Sequence, residues 1–266
     1  MTDPLASIRC FLLDMDGTFY LGEHLVEGAL RFIDTVKAQG RDFIFLTNNS
    51  SKNSRLYAEK ICRLGLEIPE GKVFTSGEAT ARYLVRTFPQ ARLFVVGTSS
   101  LQDEFRQHGF QLVDDQPNVV VLGFDTTLTY QKLWKLCDFV RAGLPYIATH
   151  PDYNCPTETG FMPDIGAMIA FVKTSTKREP DQVIGKPNRI IIDELAQKLN
   201  LTISQLAMVG DRLYTDIALG QTSGITTVLV LSGETRLSDL DQAPYKPTCI
   251  FNDLGEVADY LLNILN

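Results

Sequence analysis

Ile8-Arg9-Cys10-Phe11-Leu12-Leu13-Asp14-Met15-Asp16-Gly17-Thr18 decides the reading of this chain. The apolar run from Ile8 to Leu13 predicts a buried strand. Two carboxylates, one residue apart, stand where that strand gives way to a loop. In an extended chain residues i and i+2 point to the same side, so Asp14 and Asp16 can share a pocket while Met15 faces away. Gly17 lets the backbone turn tightly beside a ligand. Like charges this close require a cation or a proton between them. The stretch therefore points to a site for Mg²⁺ and a phosphate. The rival is a turn with two solvated acids, which the apolar strand ahead and Gly17-Thr18 behind argue against.

Working outward, short apolar runs alternate with amphipathic stretches, the pattern of an α/β fold. Strands are predicted at Ile8–Asp14, Asp42–Thr47, Arg92–Val96, Val119–Leu122, Tyr146–Thr149, Leu206–Gly210, Thr226–Leu231 and Thr248–Phe251. Helices are predicted at Glu27–Ala38, Lys52–Leu64, Gly77–Thr87, Ser100–His108, Tyr130–Ala142, Gly166–Lys173, Arg189–Leu199, Thr215–Ser223 and Gly255–Leu262. Thr75-x-x-Glu78 has the form of a capping box. The chemically suggestive segments lie near the N-terminus and again after residue 184. The stretch between them is too long for a loop. The expected organisation is a core of residues 1–80 and 184–266, with 81–183 as an inserted α/β domain.

Three further clusters sit at strand ends. Thr47-Asn48-Asn49-Ser50 follows the apolar run Phe43–Leu46. Its hydroxyl, amides and backbone N–H groups can hold phosphate oxygens, or Ser50 or Ser51 can cap the next helix. Both readings stay open. Gly185-Lys186-Pro187-Asn188 holds a lysine in an extended segment just before a helix. Its charge can balance the carboxylates, or it can be an exposed loop lysine. Gly210-Asp211-Arg212-Leu213-Tyr214-Thr215-Asp216 again follows an apolar strand. Asp211 is placed like Asp14 and can offer a hard oxygen to Mg²⁺. Asp216 can orient Asp211 or Lys186, or complement a helix dipole.

In this order, these clusters resemble the haloacid dehalogenase superfamily of phosphohydrolases. Asp14-x-Asp16-Gly17-Thr18 is similar to its first motif, Thr47-Asn48 to its second, Lys186 to its third and Gly210-Asp211 through Asp216 to its acidic fourth. The insertion resembles a type IIA cap. Thr47-Asn48-Asn49, Thr75-Ser76-Gly77-Glu78 and Gly185-Lys186-Pro187 resemble the NagD / p-nitrophenyl phosphatase branch. The resemblance implies a doubly wound, Rossmann-like core and an enzyme that hydrolyses small phosphate monoesters through an aspartyl-phosphate. It assigns Asp14 as nucleophile and Asp16 as acid and base, roles the spacing alone does not separate. It gives the transferring oxygens to Thr47, Asn48 and Lys186, and Mg²⁺ to Asp14, Asp211 and the Asp16 backbone carbonyl. The loop from His150 to Asp164, with Asp152, Asn154, Thr157, Glu158 and Thr159, is placed near the substrate, making His150 and Asp152 candidates for specificity. His150 stands where the family often has Asn, and Tyr214 where it often has a polar or charged residue. Dimers through the cap occur in the family, so monomer and cap-mediated homodimer are both open. A sugar-phosphate mutase is the nearer rival. A phospho-aspartate receiver module is a more distant one, and this chain is about twice the length it needs.

Composition narrows the classes. The chain has 266 residues, 44% hydrophobic and 21% charged, with a net charge of −7 and no basic run. That argues against a nucleic-acid backbone as partner, while a small phosphorylated metabolite remains compatible. Cys10, Cys62, Cys137, Cys155 and Cys249 are scattered and odd in number, which suits free thiols in a reducing compartment. No signal segment precedes the first strand and no stretch suits a bilayer. The expected location is cytoplasmic. No Gly-x-Gly-x-x-Gly follows the first strand, which argues against a dinucleotide-binding dehydrogenase.

Overall fold

The structure, a computed structural model, describes residues 3–157 and 159–264. Cys10–Leu13 is buried at all four positions, as a strand covered on both faces must be. It forms the middle of a six-stranded sheet whose order is Cys249–Phe251, Thr226–Val230, Leu206–Gly210, Cys10–Leu13, Asp42–Thr47, Val73–Thr75. The first five of these strands pair in parallel, with Cys10 opposite both Leu206 and Asp42. The chain runs from Cys10–Leu13 to Asp42–Thr47 on one side and places Leu206–Gly210 on the other. The direction of winding reverses between these two neighbours of the central strand, and a crevice opens at the carboxyl ends at such a point. Phe11, Phe32, Phe43, Phe45, Val209, Val228 and Leu254 belong to one buried core. Phe11 meets Phe32 edge-on at 5.5 Å.

The chain divides into two compact units. The first holds residues up to Thr47, Tyr57–Phe74 and the chain from Pro187 onward. The second holds Asn48–Leu56 and Thr75–Lys186. The second unit has its own five-stranded parallel sheet, ordered Gln182–Val183, Tyr146–Ala148, Val119–Leu122, Arg92–Val96, Gln111–Leu112. Phe94, Val120, Leu122, Tyr146, Ile165 and Val172 share its core.

The division differs from the boundaries expected at residues 81 and 183. The second unit starts at Thr75, ends at Lys186 and takes in residues 48–56. The reason is packing at the start of the helix Ser76–Thr87. A Cβ on Gly77 would lie 2.7 Å from Leu101. Segment 48–56 is tied to the same unit by Thr98 Oγ1 donating to the Ser51 carbonyl at 2.7 Å, and by the Ser50 and Thr149 hydroxyls 2.9 Å apart. Thr75 Oγ1 accepts the Glu78 N–H at 3.0 Å, which is the N-cap half of the expected capping box. The helix Ser54–Arg63 is not capped by Ser50 or Ser51: Asn53 Oδ1 accepts the Leu56 N–H. The stretch His150 to Asp164 contains an antiparallel hairpin, Asn154–Thr157 with Gly160–Pro163; Glu158 lies outside the described residues. No helix among the described residues is long and apolar enough to cross a membrane.

Candidate active site

Two groups of sequence-selected residues emerge, one in each unit. In the first unit Asp14, Asp16, Asp211 and Asp216 leave the carboxyl ends of neighbouring strands. The Asp14 N–H donates to the Val209 carbonyl at 2.9 Å, extending the sheet by one rung and holding the residue in place. Met15 turns into the core at 1% exposure, as the alternation requires. Its carbonyl accepts the N–H groups of Thr18, Phe19 and Tyr20, which winds the loop tightly. Gly17 sits at φ +88, and a Cβ there would lie 2.4 Å from Asp211 Oδ2. Any side chain at 17 would be both strained and in collision with that carboxylate. A Cβ on Gly233 would lie 2.0 Å from the same oxygen. Asp211 thus occupies a slot that two glycines keep open.

Asp14, Asp211 and Asp216 are all buried, and each offers a carboxylate oxygen within 4.8 Å of the others. The Asp211 carboxylate accepts from Thr18 Oγ1 at 3.2 Å and from the Glu234 N–H at 2.7 Å. Burial first, and then the charges of Asp14 and Asp216, push its pKa up to about 7, against the pull of the Glu234 N–H and Arg212. Asp16 keeps solvent-exposed surface, yet the packed groups around its carboxyl and the charge of Asp14 also raise its pKa. The Tyr20 hydroxyl donates to it at 3.4 Å. Three buried carboxylates with hard oxygen donors fit a divalent cation of the Mg²⁺ or Ca²⁺ type. The Asp16 carboxyl is not one of the three, whereas Asp216 stands directly beside the other two. Thr47 ends its strand in the same unit, buried.

Sequence reasoning passed over Arg212 and the turn Ser232-Gly233-Glu234. Burial works against the Arg212 charge, but Asp14, Asp211 and Asp216 outweigh it and raise its pKa. Arg212 Nε pairs with Glu234 Oε2 at 3.1 Å, and the Tyr214 hydroxyl donates to the same oxygen at 3.1 Å. Ser232 Oγ donates to the Gly17 carbonyl at 2.8 Å. The signal was available: residues 231–234 follow the apolar strand Thr226–Val230, just as the other clusters follow theirs.

The second unit gathers Asn48, His150, Asp152 and Lys186. Lys186 is 2% exposed, so it is no surface lysine. The Asn48 amide bonds the Lys186 backbone and the Asp152 carboxylate. His150 is fully buried, with Nε2 3.0 Å from Asp164 Oδ1 and Nδ1 3.2 Å from Thr149 Oγ1. His150, Asp152 and Asp164 also bring ligand-type atoms within 4.8 Å of one another. Both nitrogens of the imidazole are already engaged, so this set reads as hydrogen-bonded packing and not as an ion site. The five cysteines are free, and burial first pushes the Cys10 thiol up to about 12, far from thiolate chemistry.

The sequence and fold are similar to those of known proteins. Residues 11–111 match the family of haloacid dehalogenase-like hydrolases, and residues 183–257 match a second family of HAD-like hydrolases. An acid sugar phosphatase of Staphylococcus aureus is 36% identical over 93% of this chain and 96% of its own length. The structure of a 4-nitrophenylphosphatase from Thermotoga maritima superposes with a TM-score of 0.94 at 45% identity, covering 97% of this chain and 99% of that one. A glycerol phosphate phosphatase from Mycobacterium tuberculosis, solved in complex with calcium, has a TM-score of 0.88 at 31% identity, covering 96% of this chain and 76% of that one. These likenesses span both units and every strand-end cluster, and this chain is a member of the haloacid dehalogenase-like hydrolases.

Proposed function

We propose that the chain is a Mg²⁺-dependent phosphatase of small phosphate monoesters, such as sugar phosphates, acting through an aspartyl-phosphate on Asp14. The observation that carries this reading is the buried trio of Asp14, Asp211 and Asp216 in a glycine-walled slot. Three hard carboxylate donors gathered in one buried slot are the ligand set a divalent cation of the Mg²⁺ type takes. Phosphatase relatives at 31–45% identity support the reaction class.

Asp14 and Asp211, with Asp216 beside them, would hold the Mg²⁺, whose charge lets an anionic carboxylate meet an anionic phosphate. Asp14 attacks phosphorus in line. The bond from phosphorus to the leaving alcohol breaks as Asp16 gives that oxygen its proton. The raised pKa of Asp16 suits it to this donation. Asp16 then takes a proton from water, the water oxygen attacks phosphorus, and the bond to Asp14 breaks. Phosphate leaves and both carboxyls return to their starting states. Thr47 and Lys186 are assigned to the transferring oxygens, where the Lys186 ammonium would meet phosphate as a point charge. Residues 81–183 are assigned the part of a cap that excludes water and selects the leaving group. The reading includes a cytoplasmic setting and a monomer or cap-mediated dimer.

The test is phosphate release from a panel of monoesters, each with Mg²⁺ and with EDTA. Release with Mg²⁺ that EDTA abolishes is the expected result. Transfer of the phosphoryl group to an added sugar phosphate without free phosphate would make the enzyme a mutase. No release from any ester would end the proposal.

A further inference from the structure

Asn48 is engaged in a way that phosphate binding by its side chain does not allow. Its amide faces the backbone of Lys186 in both directions. The Lys186 N–H donates to Asn48 Oδ1 at 2.7 Å, and Asn48 Nδ2 donates to the Lys186 carbonyl at 2.9 Å. This is the double bond pattern by which one strand residue fixes its partner, here made by a side chain 138 residues away in sequence. Nδ2 also donates to the Asp152 carboxylate, at 3.0 Å to Oδ1 and 3.2 Å to Oδ2. An amide nitrogen carries two protons, and both are committed. Oδ1 is an acceptor and offers nothing to an anion.

The surroundings are built around this contact. A Cβ on Gly185 would lie 2.6 Å from Asn48 Oδ1, 2.7 Å from His150 Cβ and 2.9 Å from the Thr149 carbonyl. Only glycine lets the chain before Lys186 come this close. The Gly185 N–H donates to the Thr149 carbonyl at 2.8 Å. Asn48 is held from behind as well, because Ser76 Oγ donates to its carbonyl and stands 3.4 Å from His150 Nδ1. Asp152 is anchored in turn, its carbonyl accepting the Gly166 N–H at 2.8 Å near the start of the helix Ile165–Thr176.

We propose that Asn48 and Asp152 are positioning residues for Lys186: Asp152 orients the Asn48 amide, and the amide sets the backbone from which the lysine side chain extends. This rests on the phosphatase reading, in which Lys186 faces the transferring oxygens. It removes the Asn48 side chain from the phosphate ligands and gives Asp152 a role in the rate of reaction with every substrate, not in the choice among them.

The experiment measures kcat, KM and melting temperature on the full chain with p-nitrophenyl phosphate and Mg²⁺. The variants are Lys186→Ala, Asn48→Ala, their double variant, Asp152→Asn and Asp152→Ala. Asn48→Ala is expected to lower kcat about 100-fold, the effect of misplacing a catalytic group by about 1 Å, with KM changed by less than about threefold. The double variant is expected to release phosphate no more slowly than Lys186→Ala alone, because residues acting through one another do not add. Asp152→Asn keeps an oxygen acceptor for Asn48 Nδ2 and should stay within about threefold of the unaltered chain, while Asp152→Ala loses at least about tenfold. Losses at 48 and 186 that multiply would overturn the assignment, as would an Asp152→Asn variant as impaired as Asp152→Ala. Should Asn48→Ala fail to fold, the same cycle with Asp152→Ala and Lys186→Ala decides. If the unaltered chain releases phosphate and these patterns fail, the positioning assignment alone is wrong. If the unaltered chain releases none, the phosphatase reading falls and takes it along.

Discussion

The acidic trio of the first unit and the His150–Asn48 network of the second differ in the chemistry they gather: carboxylates alone in one, donors matched with acceptors in the other. Around Asp14, Asp211 and Asp216, three carboxylates crowd into one buried slot, and burial first, then the charges of Asp14 and Asp216, push the Asp211 pKa up to about 7. Around His150, each hydroxyl and amide finds a partner. Ser50 meets Thr149, Thr149 meets His150, His150 meets Asp164, and Asn48 meets Lys186 and Asp152. The difference teaches where to look for a ligand. A cluster of hard carboxylate oxygens suits a divalent ion, whereas a closed set of hydrogen bonds holds other groups in place.

The strongest test of this contrast is Asp14→Asn. Turnover should fall by roughly 10⁴-fold or more, measured as phosphate release, since the nucleophile has no substitute. The melting temperature of the metal-free protein should hold or rise, because one of three crowded charges is gone. A variant that keeps its activity would break the comparison at its first term.

The pH dependence of metal-free stability comes next. In the unfolded chain Asp211 titrates near the ordinary carboxylate value of about 3.9, and in the folded chain at about 7. Between those values the folded state binds the extra proton, so stability rises as pH falls from about 7 toward about 4. Above pH 7 the contribution is lost. Urea titrations in EDTA at several pH values should show this slope, Asp211→Asn should remove it, and saturating Mg²⁺ should oppose it.

His150→Ala probes the other side. It leaves the buried Asp164 carboxyl without its imidazole and should cost about 3 kcal/mol in denaturant unfolding. The stabilisation by Mg²⁺ should be unchanged in size. A smaller metal response in this variant would mean that the two clusters are not independent.

The mildest effect is that of the ion itself. Mg²⁺ at about a hundred times its dissociation constant should stabilise the native chain by about 2.7 kcal/mol. Asp211→Asn and Asp216→Asn should each shrink this gain, read as a shift in the unfolding midpoint. Equal gains in all three proteins would count against the trio as the binding site.

Particular residues show what could be read in advance. Asp42–Thr47, Arg92–Val96, Val119–Leu122 and Leu206–Gly210 are strands at the predicted bounds, because strands buried on both faces are continuous apolar runs. The predicted helix Thr215–Ser223 is different. A π-helical turn, Leu213–Ile217, precedes a short α-helix, Ala218–Ser223. The Ile217 N–H reaches back to the Arg212 carbonyl, and the Asp216 carboxylate accepts the Arg212 N–H at 3.2 Å. The widened turn brings Asp216 to the cluster, a use to which such turns are often put, and apolar spacing carries no mark of it. The hairpin Asn154–Thr157 and Gly160–Pro163 was missed for another reason. Its strands are short, include Pro156 and Pro163, and are largely exposed, so neither burial nor propensity announces them.

The sequence by itself determined the α/β class, the strand-end position of Asp14, Asp16 and Asp211, and the family, since each rests on local pattern: an apolar run, its end and the residues just beyond. Only the tertiary structure decided that Asp216 joins the trio, that Lys186 is buried, and that the Asn48 amide is spent on Lys186 and Asp152. Those outcomes depend on which distant groups fill each donor and acceptor. Hydrogen bonds between residues more than a hundred positions apart have no signature in the spacing of either one.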